Sequence, residues 1–405
     1  MAITPMKQVV TISFATIFSA IAFAGAPPAA SPTPEPRLKI SGWFESGVTF
    51  NPYSPRDNQN FGRLFDDRAN EPLLNQLVIN FERVLVAKPA EFDWGFKLQF
   101  MYGSDARFIH SLGLLDRTAH EILQPDLVEA YLNLHFPVFT AGGLDLKVGK
   151  FVTLEGAETI DPRANPFYSH SYIFNFGIPF NHTGALATWR ATPQLDLYAG
   201  LTRGVNTSIE DNNGRPAFHG GLGLNVLEGK LTALASSHIG PETPKDNRHN
   251  RYLNDITITA KPTKNFSSIT DLNYIYDKAA DATGYGIAQY FIYTINDVFA
   301  LGLRGEVWRD ADGFYVASFA ENDDAADLLR GGAVTIDPRT VGGGSTTYGA
   351  VTVGLNIKPP APKPAASVQI RPELRFDRAL NGTRPFNDST DRNQFTAGID
   401  VIVGF

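Results

Sequence analysis

From Arg37 onward, apolar and polar residues alternate with a period of two in segment after segment. The third such segment puts Phe92, Trp94, Phe96, Leu98, Phe100 and Tyr102 on one face, and Asp93, Gly95, Lys97 and Gln99 on the other. In the fourth, Val128, Ala130, Leu132, Leu134 and Phe136 oppose Glu129, Tyr131, Asn133 and His135. In the thirteenth, Phe299, Leu301, Leu303 and Val307 oppose Arg304, Glu306 and Trp308. The final stretch sets Phe395, Ala397, Ile399, Val401, Val403 and Phe405 against Gln394, Thr396, Gly398, Asp400 and Gly404, with Ile402 the one exception. About sixteen segments of this kind lie near 37–49, 74–86, 91–102, 125–136, 143–151, 182–190, 194–204, 216–226, 229–239, 251–260, 265–276, 284–295, 298–309, 346–357, 366–377 and 394–405. Their length is that of a tilted, membrane-crossing strand. Three of them, near 182–190, 229–239 and 284–295, are ambiguous in phase. Pro372 falls on the apolar face inside the fifteenth, where a missing amide donor predicts a local bulge.

The connections sort by parity. Counted from the first strand, the even ones are short, as at 191–193, 227–228 and 296–297, and the odd ones mostly long, as at 50–73, 103–124, 152–181, 310–345 and 378–393. Short turns at one end and long loops at the other are the asymmetry of an outer-membrane barrel, and a soluble sandwich has no reason for it. Aromatics band by height as well. Phe92, Trp94, Phe136, Trp189, Phe266, Phe299 and Phe405 sit near short-turn ends; Tyr102, Tyr274, Tyr276, Phe376 and Phe395 sit near long-loop ends. The predicted fold is therefore all-β: a transmembrane antiparallel β-barrel of about sixteen strands over residues 37–405, with both chain ends on the short-turn side.

Composition narrows the picture further. Hydrophobic residues are 43% and charged residues 19%, too ordered a mixture for disorder and too polar for a helical membrane protein. A net charge of −7, without a basic run, argues against nucleic-acid binding. No Cys is present, so neither disulfides nor thiolate metal sites arise. Lys7 precedes an apolar stretch from Val9 to Gly25 that ends in Ala22-Phe-Ala24, which predicts a signal peptide over 1–24, cleaved after Ala24. The proline-rich run 25–36 then predicts an extended linker.

Several blocks resemble the β-barrel porin-2 family, the OmpL-like porins of Gram-negative envelopes. They are Glu129-Ala-Tyr-Leu132, Gly142-Gly-Leu-Asp-Leu-Lys-Val-Gly-Lys-Phe151, Gly156-Ala-Glu158, Asn165-Pro-Phe-Tyr-Ser-His-Ser-Tyr-Ile-Phe-Asn175, Pro179-Phe-Asn-His-Thr-Gly184, Ile370-Arg-Pro-Glu-Leu-Arg-Phe-Asp377 and the terminal strand. The resemblance implies a bacterial outer-membrane porin. The terminal strand, ending on Phe405, resembles the C-terminal signal by which bacterial outer-membrane barrels are recognised by the barrel-assembly machinery. Family membership alone does not name a solute.

Charge on the polar phase belongs to water, because on the lipid face it would cost about 2–4 kcal/mol at mid-depth. Lys97, Lys147, Arg304, Glu306, Arg371, Glu373 and Arg375 are therefore the predicted pore-lining residues, joined by Lys39, Glu45, Glu82, Asp145, Gln369 and Asp377. Such charges tune selectivity, pair across strands, or both. Loop 152–181 carries Glu155, Glu158, Asp161 and Arg163 among Phe167, Tyr168, Tyr172, Phe174 and Phe176, too greasy a mixture for a solvated surface loop. A fold back into the lumen predicts a pore constriction, with Glu155, Glu158 and Asp161 facing Arg371, Arg375, Lys147 or Lys97; a packed outer cap is the other reading. The acidic stretches Glu210-Asp-Asn-Asn-Gly214 and Glu321-Asn-Asp-Asp324 read as solvated loop tips more readily than as calcium loops. His135 and His219 are lumen-facing singletons, and no Gly-x-Ser-x-Gly occurs, so no enzyme, metal or cofactor is expected. The expected function is a passive diffusion channel for ions and small polar solutes, with outer-membrane lipids around it and homo-oligomerisation compatible with it. The rival is a barrel-anchored adhesin or receptor whose long loops bind a partner.

Overall fold

The computed structural model describes residues 37–85, 90–117, 121–316, 329–331 and 344–405. The signal peptide, its cleavage site, the linker, His120 and the acidic stretch 321–324 lie outside the described residues. Strand segments are β1 Leu38–Phe50, β2 Pro72–Arg83, β3 Asp93–Gly103, β4 Gln124–Phe136, β5 Leu144–Val152, β6 Asn181–Thr192, β7 Leu195–Thr202, β8 Ala217–Val226 and β9 Leu231–Pro241. They continue as β10 Asn250–Ala260, β11 Phe266–Asp277, β12 Ala282–Thr294, β13 Phe299–Asp310, β14 Thr346–Ile357, β15 Ser367–Ile370, β16 Glu373–Ala379 and β17 Asn393–Gly404. Each pairs antiparallel with its neighbours, and β17 returns to β1 from Trp43↔Gly404 to Phe50↔Ala397. The sheet is closed, so no edge is left to lipid.

β15 and β16 are two halves of one wall strand, which makes the barrel sixteen-stranded. The predicted bulge at Pro372 is absent. Ile370 and Glu373 keep one register against both flanking strands, pairing Ile357 and Gly354 on one side and Val401 and Gly398 on the other. The Leu355 N–H still donates to the Pro372 carbonyl at 3.0 Å. Proline removes one donor here without inserting a residue. Register shifts occur elsewhere, one of them where Gln99 pairs Glu129 and Phe100 pairs Leu127. The skipped residue, Val128, was expected on the lipid face; it is instead fully buried, because the bulge breaks the alternation.

Polarity is inverted relative to a soluble protein. Exposed large residues include Ile79, Phe100, Leu132, Leu222, Leu303, Val353 and Ile399, all on the outward phase. Buried residues include Glu45, Gln76, Asp255, Arg304, Glu306, Arg375 and Asp400, all on the inward phase. The three segments of ambiguous phase have a common cause. On β6, β9 and β12 the inward positions carry Leu186, Leu234, Ala288 and Tyr290, which are buried in lumenal apolar clusters. Polarity therefore does not mark the inner face there. Among the described connections, 278–281 is the short exception to the long odd loops.

Candidate functional site: the segment against the inner wall

Residues 153–180, between β5 and β6, bond to inward-facing side chains from β8 round to β2. At the start, the Leu154 N–H donates to His219 Nε2 at 3.3 Å. The Gly156 and Ala157 N–H groups donate to Asp255 of β10 and Asp271 of β11 at 3.0 and 3.1 Å. Glu158 accepts from Arg304 of β13 at 2.7 Å, from the Tyr290 hydroxyl of β12 at 3.0 Å and from the Ser171 N–H at 2.8 Å. The Tyr172 N–H donates to Glu306 at 2.7 Å and its hydroxyl to Asp377 at 3.0 Å. Glu373 accepts from the Tyr168 N–H at 2.9 Å and the Ser169 N–H at 3.2 Å. Arg371 donates to the carbonyls of Pro162 and Asn165 at 2.8 and 3.0 Å, and Arg375 donates to that of His170. On β2, Gln76 donates to the Ile160 carbonyl at 2.9 Å.

Shape complements these bonds. A Cβ on Gly302 would come within 2.8 Å of the Phe167 ring, and one on Gly354 within 3.2 Å of it. A Cβ on Gly47 would meet the Tyr168 ring at 2.5 Å. Inward glycines on β1, β13 and β14 thus leave room for two aromatic side chains of the segment. Tyr172 stacks on Tyr348 at 5.0 Å, and Phe174 lies edge-on to Phe65 at 5.3 Å. Asp161 starts a short turn by accepting from the Arg163 N–H at 3.1 Å.

All the predicted site residues except Lys147 and Phe405 fall into two groups. Glu155, Glu158, Arg304, Glu306, Arg371, Glu373 and Arg375 are all buried. All but Glu155 fasten the segment to the wall or pair with one another, as Arg375 does with Glu306 at 3.3 Å. Glu158 faces Arg304 and none of the four predicted cations. Arg371 is held by Asp400 at 2.5 Å and Glu45 at 3.0 Å, and Arg375 by Asp377 at 2.9 Å. Glu155 lies 4.0 Å from His219. Burial, and then the charge of Asp255, holds the Glu155 carboxyl well above the usual range. Burial also pushes Glu158 up, but Arg304, His170 and its hydrogen-bond donors outweigh that and leave its carboxyl below the usual range.

Asp161, Arg163 and Lys97 form the second group. Their side chains are 35%, 34% and 23% exposed. Asp161 and Arg163 pair at 2.6 Å, and the Arg163 guanidinium lies 4.0 Å over the Trp43 ring. Lys97 pairs with Glu129 and feels the charges of Glu82 and Asp161. Lys147 is half-buried, with its ammonium 4.6 Å from the Tyr131 ring centre. Phe405 lies at the barrel's closure: its N–H donates to the Gly42 carbonyl at 3.0 Å, and its carbonyl accepts from the Gly42 N–H at 3.0 Å.

His219 is not a singleton. Its ring lies 4.3 Å from that of His182, which in turn lies 4.6 Å from that of His238. These residues come from β6, β8 and β9, and only strand register brings them together; no sequence spacing marks them. His135 pairs with Asp145 at 2.7 Å. In the acidic stretch near 210, Glu210 pairs with Arg117 at 2.7 Å.

The family model described as "Putative beta-barrel porin-2, OmpL-like" matches residues 37–405. No curated relative matches in sequence. Solved structures that share the fold include three that each cover 91% of this chain. They are the outer-membrane channel DcaP of Acinetobacter baumannii (12% identity, 97% of its chain, TM-score 0.53), the anion-selective porin of Comamonas acidovorans (9%, 99%, 0.53) and Salmonella typhi OmpF in complex with daunomycin (9%, 97%, 0.55). A closed sixteen-stranded barrel with an outward apolar wall and an inward polar one, matched over its whole length by that model, belongs to the OmpL-like β-barrel porin-2 family and is a channel of the bacterial outer membrane.

Proposed function

We propose that this porin is a passive diffusion channel for ions and small polar solutes, narrowed by the segment 152–181. The supporting observation is the fit of Phe167 and Tyr168 to the inward glycines at 302, 354 and 47. A loop at the outer mouth has no need of sockets in the wall. Arg304, Glu306, Glu373 and Arg375, the segment's main anchors, sit near the middle of β13 and of the wall strand formed by β15 and β16, which supports a constriction near mid-depth. The passage then runs between the partly exposed Asp161 and Arg163 of the segment and the wall carrying Lys97, Glu82 and Lys147. Charges of both signs facing a narrow aqueous gap favour polar solutes over apolar ones. The buried anchors contribute position rather than selectivity. Shortening residues 160–176 tests the reading in a planar bilayer. A several-fold larger single-channel conductance is expected, and unchanged conductance and selectivity would place the constriction elsewhere.

A further inference from the structure

A row of side chains on the outer wall departs from the apolar pattern around it. Ladder pairing aligns Ser237, Asn254, Tyr274, Tyr285, Arg309 and Thr347 across β9 to β14. All six lie on the outward phase. The next row along the same strands is Ile256, Leu272, Ile287 and Val307, followed by Gly349. Between the two rows runs a groove of about 670 Å³. Tyr274 and Tyr285 rise from it, 46% and 48% exposed. Below it, Gly305 stands where an added Cβ would meet nothing within 4 Å.

Polar groups on this face are not equivalent. Gln289 faces lipid near mid-strand, but its amide accepts from Thr270 at 2.7 Å and donates to Ser268 at 2.9 Å, so the wall satisfies it. Arg309 differs. Among the described residues its side-chain partners are the hydroxyls of Thr347, at 3.1 Å, and Ser345. Neither neutralises a guanidinium. Arg309 stands one residue from the long-loop end of β13, the height at which an outer-membrane barrel meets the membrane–water interface. A cation at that height, above an apolar channel flanked by two phenols, matches a phosphate above an acyl chain.

We propose that this groove binds one anionic, phosphate-bearing lipid of the surrounding bilayer, its phosphate on Arg309 and one acyl chain along Ile256, Leu272, Ile287 and Val307. A second copy of the chain is the competing occupant, but one cation over one apolar channel suits a single amphiphile better. Native mass spectrometry of the detergent-solubilised full chain tests this, with dioleoylphosphatidylglycerol and dioleoylphosphatidylcholine as probes. Wild type should retain one phosphatidylglycerol under conditions that strip phosphatidylcholine. Arg309→Gln should lower retention at least five-fold, and Ile287→Trp, which fills the groove, should do the same. Arg378→Gln, a basic residue near the same end of the wall but outside the groove, should leave retention unchanged. Heat-modifiable migration checks folding, and Ile287→Trp carries the test if Arg309→Gln does not fold. Equal retention of the two lipids by wild type, undiminished retention in the groove variants, or loss of an oligomer in place of a lipid would overturn the proposal.

Discussion

At the residue scale, Arg304 and Glu158 show how the inner wall is used. Their side chains are 0% and 2% exposed and meet at 2.7 Å. Removing one partner of such a pair leaves an uncompensated buried charge, typically destabilising by about 3–5 kcal/mol, whereas replacing both is milder. Arg304→Met should therefore lower the urea midpoint of the folded barrel clearly, and adding Glu158→Gln should restore part of the loss. Equal midpoints for wild type and the single variant would show that the pair holds nothing. Nearby, burial lowers the pKa of His170 to about 4. Its ring stacks on Phe174 at 4.1 Å. A base with a depressed folded pKa contributes stability that is present above about 6.5 and lost as pH falls through about 4. The midpoint difference between wild type and His170→Phe should accordingly be constant above pH 6.5 and should shift against wild type towards pH 4. A difference that stays flat across that window would show the imidazole to be solvated. Alternation assigned Arg304, Glu306, Arg371, Glu373 and Arg375 to the lumen, but it could not tell anchors from free pore charges. That distinction depends on a segment about 150 residues away in sequence from its nearest anchor on β13.

At the scale of elements, strand positions were legible because lipid on one side and water on the other force a period of two. Observed strand ends lie within three residues of the expected ones at nearly every boundary. The period failed where neither side was plainly water: on β6, β9 and β12, whose inward residues meet apolar neighbours, and at Val128, where a bulge shifts the phase. The His182, His219 and His238 cluster was hidden for a similar reason, since inter-strand register is not written in one strand. Pro372 offers a direct test of the register argument. With no bulge, Pro372→Leu would supply an N–H opposite the Leu355 carbonyl, and about 0.5–1.5 kcal/mol of added stability is expected. A destabilised Pro372→Leu barrel would mean that the strand needs its break. At the closure, a Cβ on Gly42 would come within 2.5 Å of the Phe405 ring and 2.2 Å of the Val78 carbonyl. We propose that Phe405 serves assembly rather than permeation. Both Gly42→Val and deletion of Phe405 should then lower the heat-modifiable folded fraction in the outer membrane, and a full folding yield from the deletion would contradict this.

For the whole molecule, the inverted polarity leaves one compartment for water, and the segment 153–180 occupies part of it. The family assigns a channel; we propose that this chain's own segment and wall set the size of the remaining passage. The central claim is that the barrel conducts through a gap set by that segment, and single-channel recording in planar bilayers tests it most directly. The purified full chain should give small, discrete, ohmic steps, and the variant shortened over 160–176 should give steps several-fold larger. A folded barrel that never conducts, in either form, would contradict the account and leave the long loops as the working parts of an anchored binding protein.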